Sequence, residues 1–325
     1  MSATEIEMAR KIAKVLATGT DEWEKAVTPM KADITEENKA DLEKLVTYPK
    51  PSVEATKKLE SFKTDTFLDE MYLNIEGEQI NGVPDGIQIG VTGLPSSGKS
   101  ILIEELAVRK SSQGIKVLLV TSEDLFESKS GRMDLQARLK QKADILGIDW
   151  DKQIEQPKNL IVLDTYEKAD LRRWTDFAKA YRYVIEKHGV KLVLVDSVTL
   201  LETYRGALKN RLQELCRYNQ KNGITGIYVN QRATEDWDTR AMAGGIGIGH
   251  ILDSTVIIDY GRTYHGDVNK DLGTKRGTQV QFVRVLGCRL CGYDGQRKHL
   301  AITKDGFLKK FELEELQEIA EKAEK

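Results

Sequence analysis

The chain has 325 residues, 40% hydrophobic and 31% charged, with a net charge of −2. That balance suits a soluble protein with one large α/β domain and a smaller appendage, and it gives no global electrostatic case for nucleic acid, although a local basic patch is compatible with it. No apolar run approaches the ~20 residues a bilayer span requires, Met1–Lys11 lacks the apolar stretch of a secretory signal, and three cysteines are too few for a disulfide framework. The expectation is therefore a cytoplasmic protein with no membrane partner.

Residues 1–67 contain no strand-like run. Ala9–Ala17 and Glu36–Val46 have helical apolar spacing, with Asp33 or Thr35 as an N-cap for the second. Tyr48–Pro51 breaks the pattern and Ser52–Phe62 allows a further helix, so 1–67 reads as a small helical N-terminal extension. From about Leu73 the texture changes to short apolar strands alternating with helical segments, the pattern of a mostly parallel sheet covered by helices. Strands are predicted at Ile87–Thr92, Val117–Thr121, Leu160–Asp164, Leu192–Asp196, Ile227–Asn230 and Thr255–Tyr260. Helices are predicted from Gly98 to about Ser112, over the charged Leu125–Leu146 segment, across Ala169–Lys187 and across Leu208–Gln220. Gln279–Leu286 and His299–Thr303 read as an antiparallel hairpin closing a domain that spans residues 68–310. Phe311–Glu324 reads as a last charged helix, within residues 311–325, with Leu313, Leu316, Ile319 and Ala320 on its apolar stripe.

The chemistry is concentrated at three strand ends. Gly93-Leu94-Pro95-Ser96-Ser97-Gly98-Lys99-Ser100, followed by Ile101, matches the Walker A pattern between a predicted strand and a predicted helix. Glycines there let backbone N–H groups wrap a phosphate, and the helix N-terminus adds a positive dipole end. Lys99 would reach the β- and γ-phosphates and the Ser100 hydroxyl would ligate Mg²⁺. Lys191–Ser197 is an apolar strand ending in Asp196, which places one carboxylate at the sheet edge to hold the hydrated metal. No Asn-Lys-x-Asp guanine-reading motif follows the phosphate loop, which favours ATP. Val117–Thr121 runs into Ser122-Glu123-Asp124, on a strand expected beside the phosphate-loop strand. One of these two acids would orient and polarise the attacking water; the competing reading is that both cap the following helix.

In this order the motifs resemble the RecA superfamily, specifically the branch that holds KaiC and the archaeal RadA paralogues, over about Gly82 to Lys310. Ile224–Gln231 is similar to that family's strand ending in a polar sensor, which implies that Gln231 or Asn230 feels the γ-phosphate. Gly244-Gly245 through His250, then Asp253–Thr255, resembles the RadA segment after the second DNA loop. Val285–Cys291 to Ile302–Gly306 resembles the KaiC hairpin, in which the family offers a basic residue to the nucleotide of a neighbouring subunit. Arg289 falls on the family's arginine, and Gly287 replaces its lysine. The resemblance thus implies a RecA-like core, Mg²⁺-dependent ATP hydrolysis, self-assembly into a ring or filament, and an accessory role in DNA repair with single-stranded DNA or a recombinase as partner. A KaiC-like regulatory ATPase whose nucleotide state gates a protein partner is the alternative.

Departures narrow this reading. Little chain is left between Asp196 and Gln231 for a first DNA loop, and the second, Gln231 to Gly244, is brief and mixes Arg232, Trp237 and Arg240 with Glu235, Asp236 and Asp238. Independent strand exchange is therefore not expected. Gly249-His250 stands where the KaiC autokinase has adjacent Ser and Thr acceptors, and the helix–hairpin–helix glycines of RadA are absent from residues 1–67. Cys288-x-x-Cys291 has the spacing to share a zinc, but only His299 and distant His265 are on offer as further ligands, and the pair reads instead as small buried filler. His188 beside Gly189 reads as a helix end, and the basic residues from Lys270 to Lys298 as a solvated face or a nucleic-acid track.

Overall fold

Strands that must be buried on both faces read as unbroken apolar runs, and those runs form the centre of the molecule. The computed structural model describes residues 59–129, 133–201, 207–231, 246–262, 279–303 and 305–311. Among these, β1 (Ser61–Phe62) pairs with β3 (Val83–Pro84), and β2 (Tyr72–Leu73) lies between them in sequence. β4 (Gln88–Gly93) leads through the glycine loop into α1 (Lys99–Ser112), and β5 (Val117–Thr121) is followed by α2 (Leu135–Ile145). Next come β6 (Leu160–Asp164), α3 (Trp174–His188), β7 (Leu192–Asp196), α4 (Ala207–Lys221) and β8 (Thr225–Gln231). The short α5 (Ile246–Gly249), β9 (Ser254–Arg262), β10 (Gln279–Cys288), β11 (Gly292–Tyr293), β12 (Lys298–Ile302) and β13 (Leu308–Phe311) complete the described chain.

Nine strands form one sheet in the order β13-β12-β10-β9-β4-β8-β7-β5-β6. The six from β9 to β6 are parallel, and β10, β12 and β13 extend the sheet antiparallel beyond β9. Alternate residues feed two cores. Val117, Leu119, Leu192 and Leu194 meet α1 and α2 on one face, whereas Leu118, Val120, Val193 and Val195 meet α3 and α4 on the other. The result is the three-layer α/β/α arrangement expected, with the phosphate loop and every acid of the candidate site at the C-terminal edge of the parallel strands.

Several elements differ from expectation. β5 does not adjoin β4, because β8 and β7 lie between them. All these strands are similarly apolar, so their lateral order is fixed by non-local packing that no single segment encodes. The helix expected over Leu125–Leu146 begins only at Leu135, because Asp134 accepts from the Ala137 N–H at 2.8 Å and caps it there. Glu123 and Asp124 therefore do not cap it. The expected Ala169–Lys187 helix is split by extended Arg173 into a 3₁₀ turn, Ala169–Arg172, and α3. Ser61–Phe62 is a strand where a helix was allowed, and Phe311 ends β13 instead of starting a helix. The hairpin is present as β10–β12, but its connection contains β11, which pairs with β2. The helices at Ala9–Ala17 and Glu36–Val46, the charged helix beyond Phe311 and the Arg232–Gly244 loop lie outside the described residues.

Candidate nucleotide site

The loop after β4 is held open by backbone geometry that side chains resist. Gly98 has φ 103° and serves as N-cap of α1, and Ser96 also lies at positive φ, 64°. Pro95 and Ser96 are exposed, Leu94 and Ile101 are half-buried, and Ser97 is buried. The Lys99 ammonium folds across the loop, donating to the carbonyls of Gly93 at 3.0 Å and Leu94 at 2.7 Å. Burial pulls the Lys99 pKa down, opposed by the charges of Asp196, Asp259 and Glu123 around it. At the end of β4 and in the loop, the buried Thr92 and Ser97 hydroxyls have no hydrogen-bond partner among the described residues. Loop amides, a lysine and unsatisfied hydroxyls in one short segment fit a polyphosphate.

The metal side of the cleft is equally built. Ser100 and Asp196, from α1 and the end of β7, are joined by a hydrogen bond, and with Thr121, Glu123, Asp124 and Arg138 they line one pocket. Burial, reinforced by the neighbouring charges of Glu123, Asp124 and Glu104, raises Asp196 to about 6. A half-buried carboxylate at this cost, beside a serine hydroxyl and among other acids, has the donor set of a Mg²⁺ site.

The two acids after β5 separate in role. The Glu123 carboxylate accepts from the Ser197 hydroxyl at 2.6 Å and from the Thr199 hydroxyl at 3.3 Å. Ser122 locks the two strand ends together: its N–H donates to the Asp196 carbonyl at 3.0 Å and its hydroxyl accepts from the Ser197 N–H at 3.1 Å. Asp124 instead pairs with Arg138 at 2.6 Å, and the same guanidinium holds Glu104 at 2.8 Å. Asp124 is thus tied into an ion pair with α2, while Glu123 is steered by hydroxyls into the cleft. Ser197, Thr199, Arg138 and Asp259 were not singled out from sequence. The signal in the sequence is a serine directly after the metal acid.

Gln231 ends β8 exposed, level with Gly93 in the β4–β8 register, and Asn230 is buried opposite Thr92. Arg289 is elsewhere. It follows Cys288, whose Cα partner is Ser254, and Ser254 sits opposite Ile89 near the start of β4. Four residues of strand, about 13 Å at ~3.3 Å each, separate that level from Gly93. The exposed Arg289 guanidinium donates to the His250 carbonyl. It cannot act on the phosphate loop of its own chain. His188 ends α3 before Gly189 at φ 65°, as expected of a helix terminus. Cys288 and Cys291 pack against the core as expected, but they are half-buried where full burial was expected.

A lysine-bearing glycine loop and a metal-type acid on one edge of a mostly parallel, antiparallel-extended sheet define the RecA-like class of phosphate-loop ATPases. The model of the family described as "ATPase: KaiC" matches residues 64–309. The chain belongs to that family. A KaiC-like protein from the hyperthermophilic archaeon Pyrococcus horikoshii has a similar fold, with a TM-score of 0.57 at 15% identity, covering 78% of this chain and 100% of that one. Comparison with curated protein sequences gives no significant match.

Proposed function

We propose that the protein is a Mg²⁺-dependent ATP hydrolase that works as an assembly, its turnover coupled to single-stranded DNA in an accessory repair or recombination role. One observation supports the hydrolytic reading above the others: Lys99, Ser100, Asp196 and a hydroxyl-steered Glu123 converge on one cleft. The family match supports ATP as the nucleotide. Ser100 and Asp196 would hold Mg²⁺, which when bound neutralises charge on the phosphate oxygens. Lys99 leaves the loop carbonyls for the phosphates. Glu123 accepts a hydrogen bond from water and takes its proton as attack develops, with Ser197 and Thr199 keeping the carboxylate turned toward that position. Gln231 is placed to respond to the terminal phosphate and pass its loss to the chain that follows β8.

The test is phosphate release with and without Mg²⁺, and with and without single-stranded DNA. Metal-dependent turnover that DNA raises several-fold supports the proposal. Metal-dependent turnover indifferent to DNA favours the second reading, a KaiC-like module whose nucleotide state gates a protein partner, for which the short span between Asp196 and Gln231 is the supporting feature. Unchanged ATP affinity in Lys99→Ala would mean that the loop is not the phosphate site.

A further inference from the structure

The nucleotide chemistry leaves one reactive pair unused. Cys288 ends β10 and Cys291 stands just before β11, and their sulfurs lie 3.5 Å apart. Both are partly exposed, whereas Cys216 is buried in the helical layer. A disulfide needs ~2.05 Å between sulfurs, so closure requires an approach of about 1.5 Å. The frames on either side are anchored. Tyr293 pairs with Tyr72, the Tyr72 and Ser254 hydroxyls lie 2.9 Å apart, and the Ser254 hydroxyl donates to the Gly287 carbonyl at 2.8 Å. Room to adjust remains around these anchors. The β10–β9 register slips between Val285 and Gly287, just before the first anchor, and among the described residues nothing stands within 4 Å of where a Gly287 side chain would be. Between the anchors the Arg289 and Leu290 side chains are exposed, and the Arg289 N–H is tied to the Asp253 carbonyl. Among the described residues no third Cys, His, Asp or Glu joins the pair in a metal-binding group, so exchange chemistry fits better than a metal.

We propose that Cys288 and Cys291 are a redox-active dithiol that exchanges with low-molecular-weight disulfides of the glutathione type and, on closing, repositions Arg289. Cys288 is the attacking sulfur, since the hydrogen bond from Cys291 holds its thiol below the ordinary range while the Cys291 thiol is raised. The Cys288 thiolate attacks one sulfur of the disulfide, forming a mixed disulfide and expelling one thiolate, which takes a proton. Cys291 then loses its proton to solvent and attacks the Cys288 sulfur, expelling the second thiolate. The cysteine pair gives up two electrons and two protons, and the disulfide becomes two thiols. The Arg289 N–H donates to the Asp253 carbonyl at 2.9 Å and its guanidinium to His250, so tightening the link on either side of Arg289 shifts the direction in which it points. The consequence for turnover rests on the assembly proposed above; the thiol chemistry does not.

Reduced protein is incubated with glutathione disulfide, trapped with N-ethylmaleimide and read by intact mass and peptide mapping. Expected is loss of two hydrogens with Cys288 and Cys291 protected together, reversed by dithiothreitol, while Cys291→Ser stops at one glutathione on Cys288. Wild-type protein that stays fully alkylatable, or that retains glutathione unresolved, overturns the dithiol. In a parallel arm, oxidation changes ATP turnover several-fold in wild type and not in the Cys288→Ser/Cys291→Ser double variant. A disulfide that forms without altering turnover overturns the link to Arg289, and a chain with no turnover at all still leaves the mass readout decisive.

Discussion

Asp196 is more costly to ionise inside the fold than in the unfolded chain, because burial lifts it from 3.8 to about 6. A carboxyl raised in this way binds more protons when folded, so stability falls as pH rises between those two values and the cost is complete above pH ~6. Two pH units correspond to roughly 3 kcal/mol. Asp196→Asn is therefore expected to stabilise the nucleotide-free protein by about 2–3 kcal/mol at pH 8 in urea denaturation, with the gain shrinking below pH 6 and gone near pH 4. The same variant loses Mg²⁺-dependent turnover, and a gain that persisted at pH 4 would show that burial is not its source. Glu123 carries a different prediction. Glu123→Gln keeps the hydrogen bonds to Ser197 and Thr199 and removes the proton acceptor, so turnover falls ~10²–10⁴-fold while ATP affinity is retained. Loss of both together would place Glu123 in binding. The placing of Lys99, Ser100 and Asp196 at one sheet edge was legible in sequence because each sits in a short pattern beside an apolar strand. The pairing of Ser197 with Glu123 was not, because it joins residues 74 apart that meet only when two strand ends are side by side.

The neighbouring strand β9 constrains the phosphate loop before any ligand does. A Cβ on Gly93 would stand 1.7 Å from the Ile258 carbonyl oxygen of β9 and 2.9 Å from the Ser97 hydroxyl. That glycine is required by β4–β9 packing as well as by the loop, and the obstacle is backbone that cannot rotate away. Gly93→Ala is expected to destabilise the fold by about 3 kcal/mol, or to abolish soluble expression, measured by urea unfolding. An unchanged midpoint would mean that the two strands stand farther apart. Asp134→Ala removes the α2 cap and its bond to the Ser128 N–H at 2.7 Å, for an expected cost of about 1 kcal/mol. Strand positions were legible to within a residue or two wherever both faces are apolar, as in β5, β6 and β7. Lateral order and the exact start of α2 were not. The first depends on pairing between distant segments. The second depends on Asp134 outcompeting Glu123 and Asp124, acids of the same kind about ten residues upstream.

The position of Arg289 makes a statement about the whole molecule. It lies toward the end of the parallel strands opposite the phosphate loop, about 13 Å of strand away, so any contribution to hydrolysis must reach a second copy. An interface that joins one end of a protomer to the opposite end of the next is heterologous, and it generates rings or filaments instead of isologous pairs. Two crippled variants then become complementary. On the proposed roles, Lys99→Ala is expected to lose ATP but still to present Arg289, whereas Arg289→Ala is expected to hold ATP but to receive a guanidinium only from a neighbour of the other kind. Each alone is expected to lose at least ~100-fold in turnover. Mixed one to one under assembling conditions, half the sites bind ATP and half of those have a competent neighbour, so activity recovers to about a quarter of wild type. Recovery should disappear on dilution, in step with the light-scattering mass. A mixture no more active than the sum of its parts, at a concentration where scattering shows co-assembly, would remove Arg289 from the reaction and leave the single-chain cleft to hydrolyse ATP unaided.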